Sequence, residues 1–381
     1  MTFTLKHFDN AIFSFNLENN FEGVECFIDE KSVVSENLKF LPLDLSLNYE
    51  IPSSEDFLKW LKHRTIPSNR AYVQNFLAKL GLSEKDTIGI LSVSYGLSLN
   101  DCFWICPDYE KRSFSKINLY DNRFSTVLAS IAFTGYGSYT KSSFRSSPEF
   151  TTNGMLAKCW RKIDEEIYLY KSGTEGFANS GLEPYSEYYA SQIAQKLELN
   201  AISYDLHKWK SRLCSSCTLF TSKKYSFIPT GRLVKEGGLR SVFDFYETLG
   251  KEFSENLKDL FIFDALIFNQ DRHMGNFGVL VNNYTNKIEK PAPIFDNGLS
   301  LFCYAMSDDL ENVEKYKKTI LPSLYPSFID FAKEIMGEPQ RKKLHKMLDF
   351  TFAKHSRYNL DPKRLKIIEK AVKEQAELLI K

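Results

Sequence analysis

The sequence predicts an α+β chain in which a small lobe of mixed strands and helices precedes a larger, mainly helical one. Two observations carry this expectation. Between residues 155 and 197 the text runs strand, strand, helix, and from Val242 onward helical spacing dominates, with one hairpin-like interruption near residues 277–295. Size adds a third: 381 residues exceed the roughly 100–200 of a single domain, so more than one core is expected.

In chain order, the first fifty residues mix short apolar runs with Asn, Asp and Glu and are readable as either element type. Ser68 suits the cap of a helix through Ala71, Tyr72, Phe76, Leu77 and Leu80, with Gly81 as its stop. Between Thr87 and Cys106, β-branched and aromatic residues broken by Gly89, Gly96 and Asn100 predict short strands or extended loop. A helix is expected over Phe124–Phe133, then a polar Gly/Ser-rich stretch from Gly135 to Ser147. A loop at Thr151–Gly154 leads to strands at Met155–Trp160 and Glu166–Lys171 and a helix at Pro184–Leu197. Further strands are predicted at Cys217–Thr221 and around Phe227. At the C-terminus, Leu344, Leu348 and Phe352, and then Leu365, Ile368, Val372 and Leu378, recur at helical spacing as core-facing stripes. Residues 1–114 are therefore read as an N-terminal accessory region, 115–222 as the mixed lobe and 223–381 as the helical lobe.

Composition narrows the function. Forty-nine basic against 48 acidic residues give a formal charge of +1, which provides no global field toward nucleic acid or anionic lipid, so neither is expected as a partner. Seven cysteines, an odd and scattered number, do not form a disulfide framework and suit a reducing compartment, the cytoplasm by default. The N-terminus lacks the basic start and apolar stretch of a secretory signal, and no run reaches the ~18 apolar residues of a membrane span. The most apolar run, Leu260–Phe268, is interrupted by Asp264. Cys214 and Cys217 have the spacing of a zinc knuckle, but no second pair supplies the four ligands a structural zinc needs.

The richest segment runs Asn269-Gln270-Asp271-Arg272-His273-Met274-Gly275-Asn276-Phe277-Gly278, followed by a short hairpin and then Phe295-Asp296-Asn297-Gly298. Taken singly, each polar residue is equally a helix stop or a turn. Together they form the set that phosphoryl transfer uses. A carboxylate orients the attacking hydroxyl, and an amide oxygen and a second carboxylate hold Mg²⁺ on the phosphates.

These segments resemble the catalytic and metal-binding segments of HipA-like serine/threonine kinases, bacterial enzymes that include toxin kinases and cell-translocating kinases. The resemblance covers roughly residues 145–300 and extends upstream of the central motif. Lys171 resembles the family's ATP-binding lysine, and Glu187, opening a helix that Pro184 starts, resembles the acid that positions it. Thr152, Asn153, Gly154 and Lys158 resemble the family's nucleotide loop, with Gly followed four residues later by Lys. In the family the residue three before that Gly is an autophosphorylated serine; here it is Thr151. Leu219–Thr221 would be the adenine hinge, with Leu219 and Thr221 in the ATP site.

The resemblance implies a two-lobed protein-kinase-like fold, ATP and Mg²⁺ as cofactors, and transfer to a Ser or Thr hydroxyl of a protein. It also implies autophosphorylation and an antitoxin-like partner. In it Asp271 is the catalytic residue and Asn276 and Asp296 hold the metal. His273 would order the loop, and Arg272 is readable as a contact to a substrate phosphate or an activation segment, or as a solvated loop charge. Trp60, Arg64, Pro67 and Arg70 form a basic-aromatic cluster equally readable as a helix entry with surface arginines. Two other functions fit the motif: a phosphoinositide kinase, and an inactive nucleotide-binding scaffold or toxin partner.

Overall fold

The computed structural model describes residues 1–21, 23–138 and 147–381, so residues 139–146 of the predicted Gly/Ser-rich stretch lie outside the described residues. The chain forms two compact units. The first comprises Met1–Tyr170, Thr221–Ile228 and Leu280–Glu289; the second comprises Lys171–Phe220, Pro229–Val279 and Lys290–Lys381.

In the first unit the ambiguous N-terminal residues form strands Thr2–His7, Asn10–Asn20 and Gly23–Asp29. The strand Phe103–Pro107 completes a four-stranded sheet in which it borders the first strand and Gly23–Asp29 lies at the opposite edge. All three pairings are antiparallel, with Leu5 opposite both Phe13 and Ile105. Along Thr2–His7 burial alternates, as one face of a pleated strand requires. That face supplies Phe3 and Leu5 to a core with Ile12, Phe13 and Phe15, against which the helix Ser54–Lys62 sets Phe57, Trp60 and Leu61. Ser53 caps this helix by accepting from the Asp56 N–H at 3.1 Å. A second core joins Val73, Phe76 and Leu77 of the helix Val73–Ala78 to Leu128, Ile131 and Ala132 of the helix Thr126–Thr134, with Phe150.

Several expectations give way here. Residues 87–94 are helical, not extended: Asp86 caps the segment through the Gly89 N–H at 2.8 Å, and burial of Ile90 and Leu91 outweighs β-branched propensity. The helix expected from Ser68 begins only at Val73, because Tyr72 takes a left-handed conformation with φ of 60°. Arg64 and Arg70 are not surface residues. Arg64 is buried in a fork onto Asp101, with both bonds at 2.8 Å, and Arg70 is buried against Glu149.

In the second unit the helix Glu183–Lys196 has Pro184 in its first turn and buries Glu187, Ala190, Ile193 and Ala194. A hairpin of Asp205–Trp209 and Arg212–Thr218 belongs to the same unit. The helices Gly238–Leu249 and Lys251–Ile267 are separated by Gly250, whose φ of 117° favours glycine. Residues 259–267 are buried on every side of the second helix, which makes it the axis of this unit's core. The last helix, Pro362–Ile380, is capped by Asp361 and buries Leu365, Ile368, Val372 and Leu379. Its Leu378 is exposed, and Leu348 and Phe352 lie beyond the end of the helix Glu338–His345, so the predicted stripes are only partly core-facing. Among the described residues no cysteine is in a disulfide, and no helix is long and apolar enough to cross a membrane.

Candidate active site

The site of the second unit is built on the C-terminal end of the helix Lys251–Ile267. The helix stops at Phe268, which is left-handed with φ of 56°, and the chain then turns through Asn269 to Asn276. Asn269 fixes the turn twice. Its Nδ2 donates to Asp264 Oδ1 at 2.8 Å, and its Oδ1 accepts from the Asp271 N–H at 3.1 Å.

Arg272, only 1% exposed, gathers three segments around itself. Its Nε and Nη2 donate to the two oxygens of the fully buried Asp264 at 2.8 and 3.0 Å. Nη1 donates to the carbonyls of Asn276 at 2.9 Å and Phe295 at 2.7 Å, and Nη2 reaches Asn297 Oδ1 at 2.8 Å. One guanidinium thereby ties the helix, the loop holding Asp271 and Asn276, and the segment carrying Asp296. Its planar fork suits five such acceptors where a lysine would not. This is a correction: Arg272 is neither solvated nor directed at substrate.

Asp296 sits in the left-handed region with φ of 57°, a conformation aspartate tolerates better than most residues. Its N–H donates to the Tyr204 hydroxyl at 3.1 Å, and the Asn297 N–H donates to Glu187 Oε2 at 2.8 Å. The other Glu187 oxygen accepts from Lys171 Nζ at 2.9 Å, and Lys171 is also paired with Asp296. Burial alone would lower the Lys171 pKa, but Asp296 and Glu187 outweigh it and hold the ammonium protonated well above its ordinary range. The Asn276 amide nitrogen donates to the Asp271 carbonyl at 3.3 Å. Asp271 is raised above the usual aspartate value, first by burial and then by the nearby charge of Asp296, while His273 and Lys171 oppose the shift. The structure therefore brings Lys171, Glu187, Asp271, Asn276 and Asp296 into one neighbourhood of one unit. His273 is exposed, and its Nδ1 accepts from the Gly275 N–H at 3.1 Å.

The donor set fits Mg²⁺. A partly exposed carboxylate and an amide oxygen are hard ligands, and magnesium needs few from protein because water and phosphate complete its shell. A lysine held by a buried carboxylate suits a polyphosphate.

The nucleotide-loop residues belong to the first unit. Thr152 Oγ1 donates to the Pro148 carbonyl at 2.7 Å and accepts from Trp160 Nε1 at 2.9 Å. Lys158 Nζ donates to the Asn153 carbonyl at 2.8 Å, lying where a side chain on Gly154 would stand. Gly154 has φ of 91°, so this turn requires glycine. The Thr151 hydroxyl is buried and donates to the Leu97 carbonyl at 2.9 Å. At the expected hinge, Leu219 belongs to the second unit and Thr221, whose hydroxyl bonds the Leu99 carbonyl, to the first.

Sequence reading missed Tyr204, gave Asp264, Asn269 and Asn297 no role in the site, and missed the structural role of Arg272. A signal existed for one: a lone Asp inside the apolar run Leu260–Phe268 demands a buried cation.

The fold is the α+β, protein-kinase-like fold of the HipA type. A chain of the Shewanella oneidensis MR-1 toxin–antitoxin complex of HipA, HipB and operator DNA matches it with a TM-score of 0.54 and 11% identity, over 98% of this chain and 96% of that one. Among curated proteins, the serine/threonine-protein kinase CtkA of Helicobacter pylori is 29% identical over 177 residues, 42% of this chain and 52% of CtkA. The match thus spans about half the length of that relative. The crystal structure of a Helicobacter pylori proinflammatory kinase CtkA aligns with a TM-score of 0.45 and 20% identity, over 58% of this chain and 91% of that chain. No family model matches the chain. The resemblance to HipA-like and CtkA-like kinases is thus found in sequence with CtkA and in fold with HipA.

Proposed function

We propose that this chain is an ATP- and Mg²⁺-dependent serine/threonine protein kinase of HipA-like type, able to phosphorylate itself. The observation that carries the proposal is the Arg272 network. It gathers a loop with Asp271 and Asn276 and a segment with Asp296 around one guanidinium, while Glu187 holds Lys171 beside Asp296. The similarity to CtkA supports the same reading.

In this reading Asp271 orients the acceptor hydroxyl and takes its proton, which its partial burial and the nearby charge of Asp296 favour. Asn276 and Asp296 hold Mg²⁺ through their side-chain oxygens, and Lys171 neutralises phosphate charge. ATP supplies the phosphoryl group and Mg²⁺ screens its negative charge. Thr152, Asn153, Gly154 and Lys158 line the phosphates, and Leu219 and Thr221 flank the adenine. Residues 1–114, 115–222 and 223–381 are the accessory region, N-lobe and C-lobe of that enzyme. The protein partners are a substrate with a Ser or Thr hydroxyl and, by analogy with the HipB of the HipA complex, an antitoxin-like protein. The Thr151 hydroxyl donates to the Leu97 carbonyl inside the fold, so its self-phosphorylation would require that bond to break.

Incubation of the purified chain with γ-labelled Mg-ATP, alone, with a cell lysate and with phosphatidylinositol vesicles, tests this. Label on protein Ser or Thr, located by mass spectrometry and lost in Asp271→Asn, is the expected result. Label in lipid only, or none in any arm, would remove the proposal.

A further inference from the structure

Residues 1–114 carry none of the transfer motifs, yet one of their side chains bonds both Glu149, just before the Thr152–Lys158 loop, and Lys158 at its end. Arg70 and Glu149 form an ion pair at 2.7 Å with both side chains fully buried. From Arg70, Nη1 donates to the Glu149 carbonyl and Nη2 to the Lys158 carbonyl, each at 2.7 Å. The second Glu149 oxygen accepts the Trp160 N–H at 2.7 Å, and the neighbouring Ala71 N–H donates to the Met155 carbonyl at 2.8 Å, inside the loop itself. Two consecutive residues from far upstream thus hold the segment before the loop, the loop's interior and its last residue, and Glu149 holds the residue two beyond it.

We infer that Arg70, with Glu149, is the positioning pair of the phosphate loop, and that the accessory region contributes to nucleotide binding by shaping residues 152–158. This rests on the kinase reading. A buried ion pair is a weak source of stability compared with apolar side chains of the same volume, whereas its fixed directions define a geometry. The guanidinium spans two carbonyls and a carboxylate at once, which a lysine cannot reproduce. The backbone around the loop is thus ordered before any ligand arrives, which lowers the entropy lost on binding.

The test is titration calorimetry of the full chain with Mg-ATP and, separately, with adenosine, which lacks the phosphates. Wild type is compared with Arg70→Lys and Glu149→Gln, each also followed by thermal melting. In variants that keep a cooperative melt, affinity for Mg-ATP should fall at least about tenfold while adenosine stays within about twofold. Equal changes for the two ligands, or none, would show a purely structural pair and overturn the inference. So would loss of the cooperative melt in both variants. Failure of wild type to bind Mg-ATP at all would instead remove the kinase reading on which the inference stands.

Discussion

Two buried arginines do comparable work in the two units. Arg272 pairs with Asp264 and reaches the carbonyls of Asn276 and Phe295; Arg70 pairs with Glu149 and reaches the carbonyls of Glu149 and Lys158. In each, a buried guanidinium donates to one carboxylate and to backbone carbonyls of a neighbouring loop. They differ in span. Arg272 and Asp264 are 8 residues apart, across a helix end, whereas Arg70 and Glu149 are 79 apart. The Arg272–Asp264 pair closes locally; the Arg70–Glu149 pair needs the surrounding fold before its ends meet.

The largest expected effect separates chemistry from scaffolding. Asp271→Asn should reduce phosphoryl transfer by about 10²- to 10⁴-fold, with an unchanged melting curve. Transfer at the wild-type rate in a radiolabel assay would break the assignment. Next, Arg272→Met strands a buried carboxylate and should cost about 3–5 kcal/mol of unfolding free energy, measured by urea titration. A loss under ~1 kcal/mol would mean the clamp of the second unit is dispensable.

A third experiment probes the first unit through His7, packed against Phe40 and Phe103 with ring centroids 5.2 and 4.7 Å away. Burial lowers its pKa to about 4 from 6.5, against the opposing charge of Asp101 and hydrogen bonding with Asn283. The unfolded chain binds the proton first, so stability is complete above pH 6.5 and falls as pH drops toward 4, by ~3 kcal/mol in all. Denaturant titrations at pH 7 and 4.5 should show that His7→Phe removes this part of the acid sensitivity. The smallest effect concerns Asp271, whose raised pKa places the acid limb of the transfer rate above the ordinary aspartate range. His273 opposes that rise, so His273→Ala should move the limb to higher pH; a shift to lower pH would contradict the electrostatics described.

Legibility in the sequence divides by the same distance. Asp271, Asn276 and Asp296 stand in short, dense segments, and the spacing of a helix stop, loop and hairpin suffices to place them near one another. The strand and helix around Lys171 and Glu187 are legible for the same reason, through local apolar periodicity and a proline at the helix start. The Arg70–Glu149 pair is not, because a single arginine at a helix entry carries no mark of what it will meet 79 residues later. Residues 87–94 mislead in a related way: their β-branched side chains favour strands, and only the core that takes up Ile90 and Leu91 makes a helix the better choice.

The bond from the Trp160 indole to Thr152 gives the loop an optical handle. The indole excited state responds to the field at its nitrogen, and that nitrogen is fastened to the residue that opens the Thr152–Lys158 loop. Any ligand that draws Thr152 away from the Pro148 carbonyl changes that field, so the Trp160 share of the emission, one of four tryptophans, reports loop rearrangement with no dye attached.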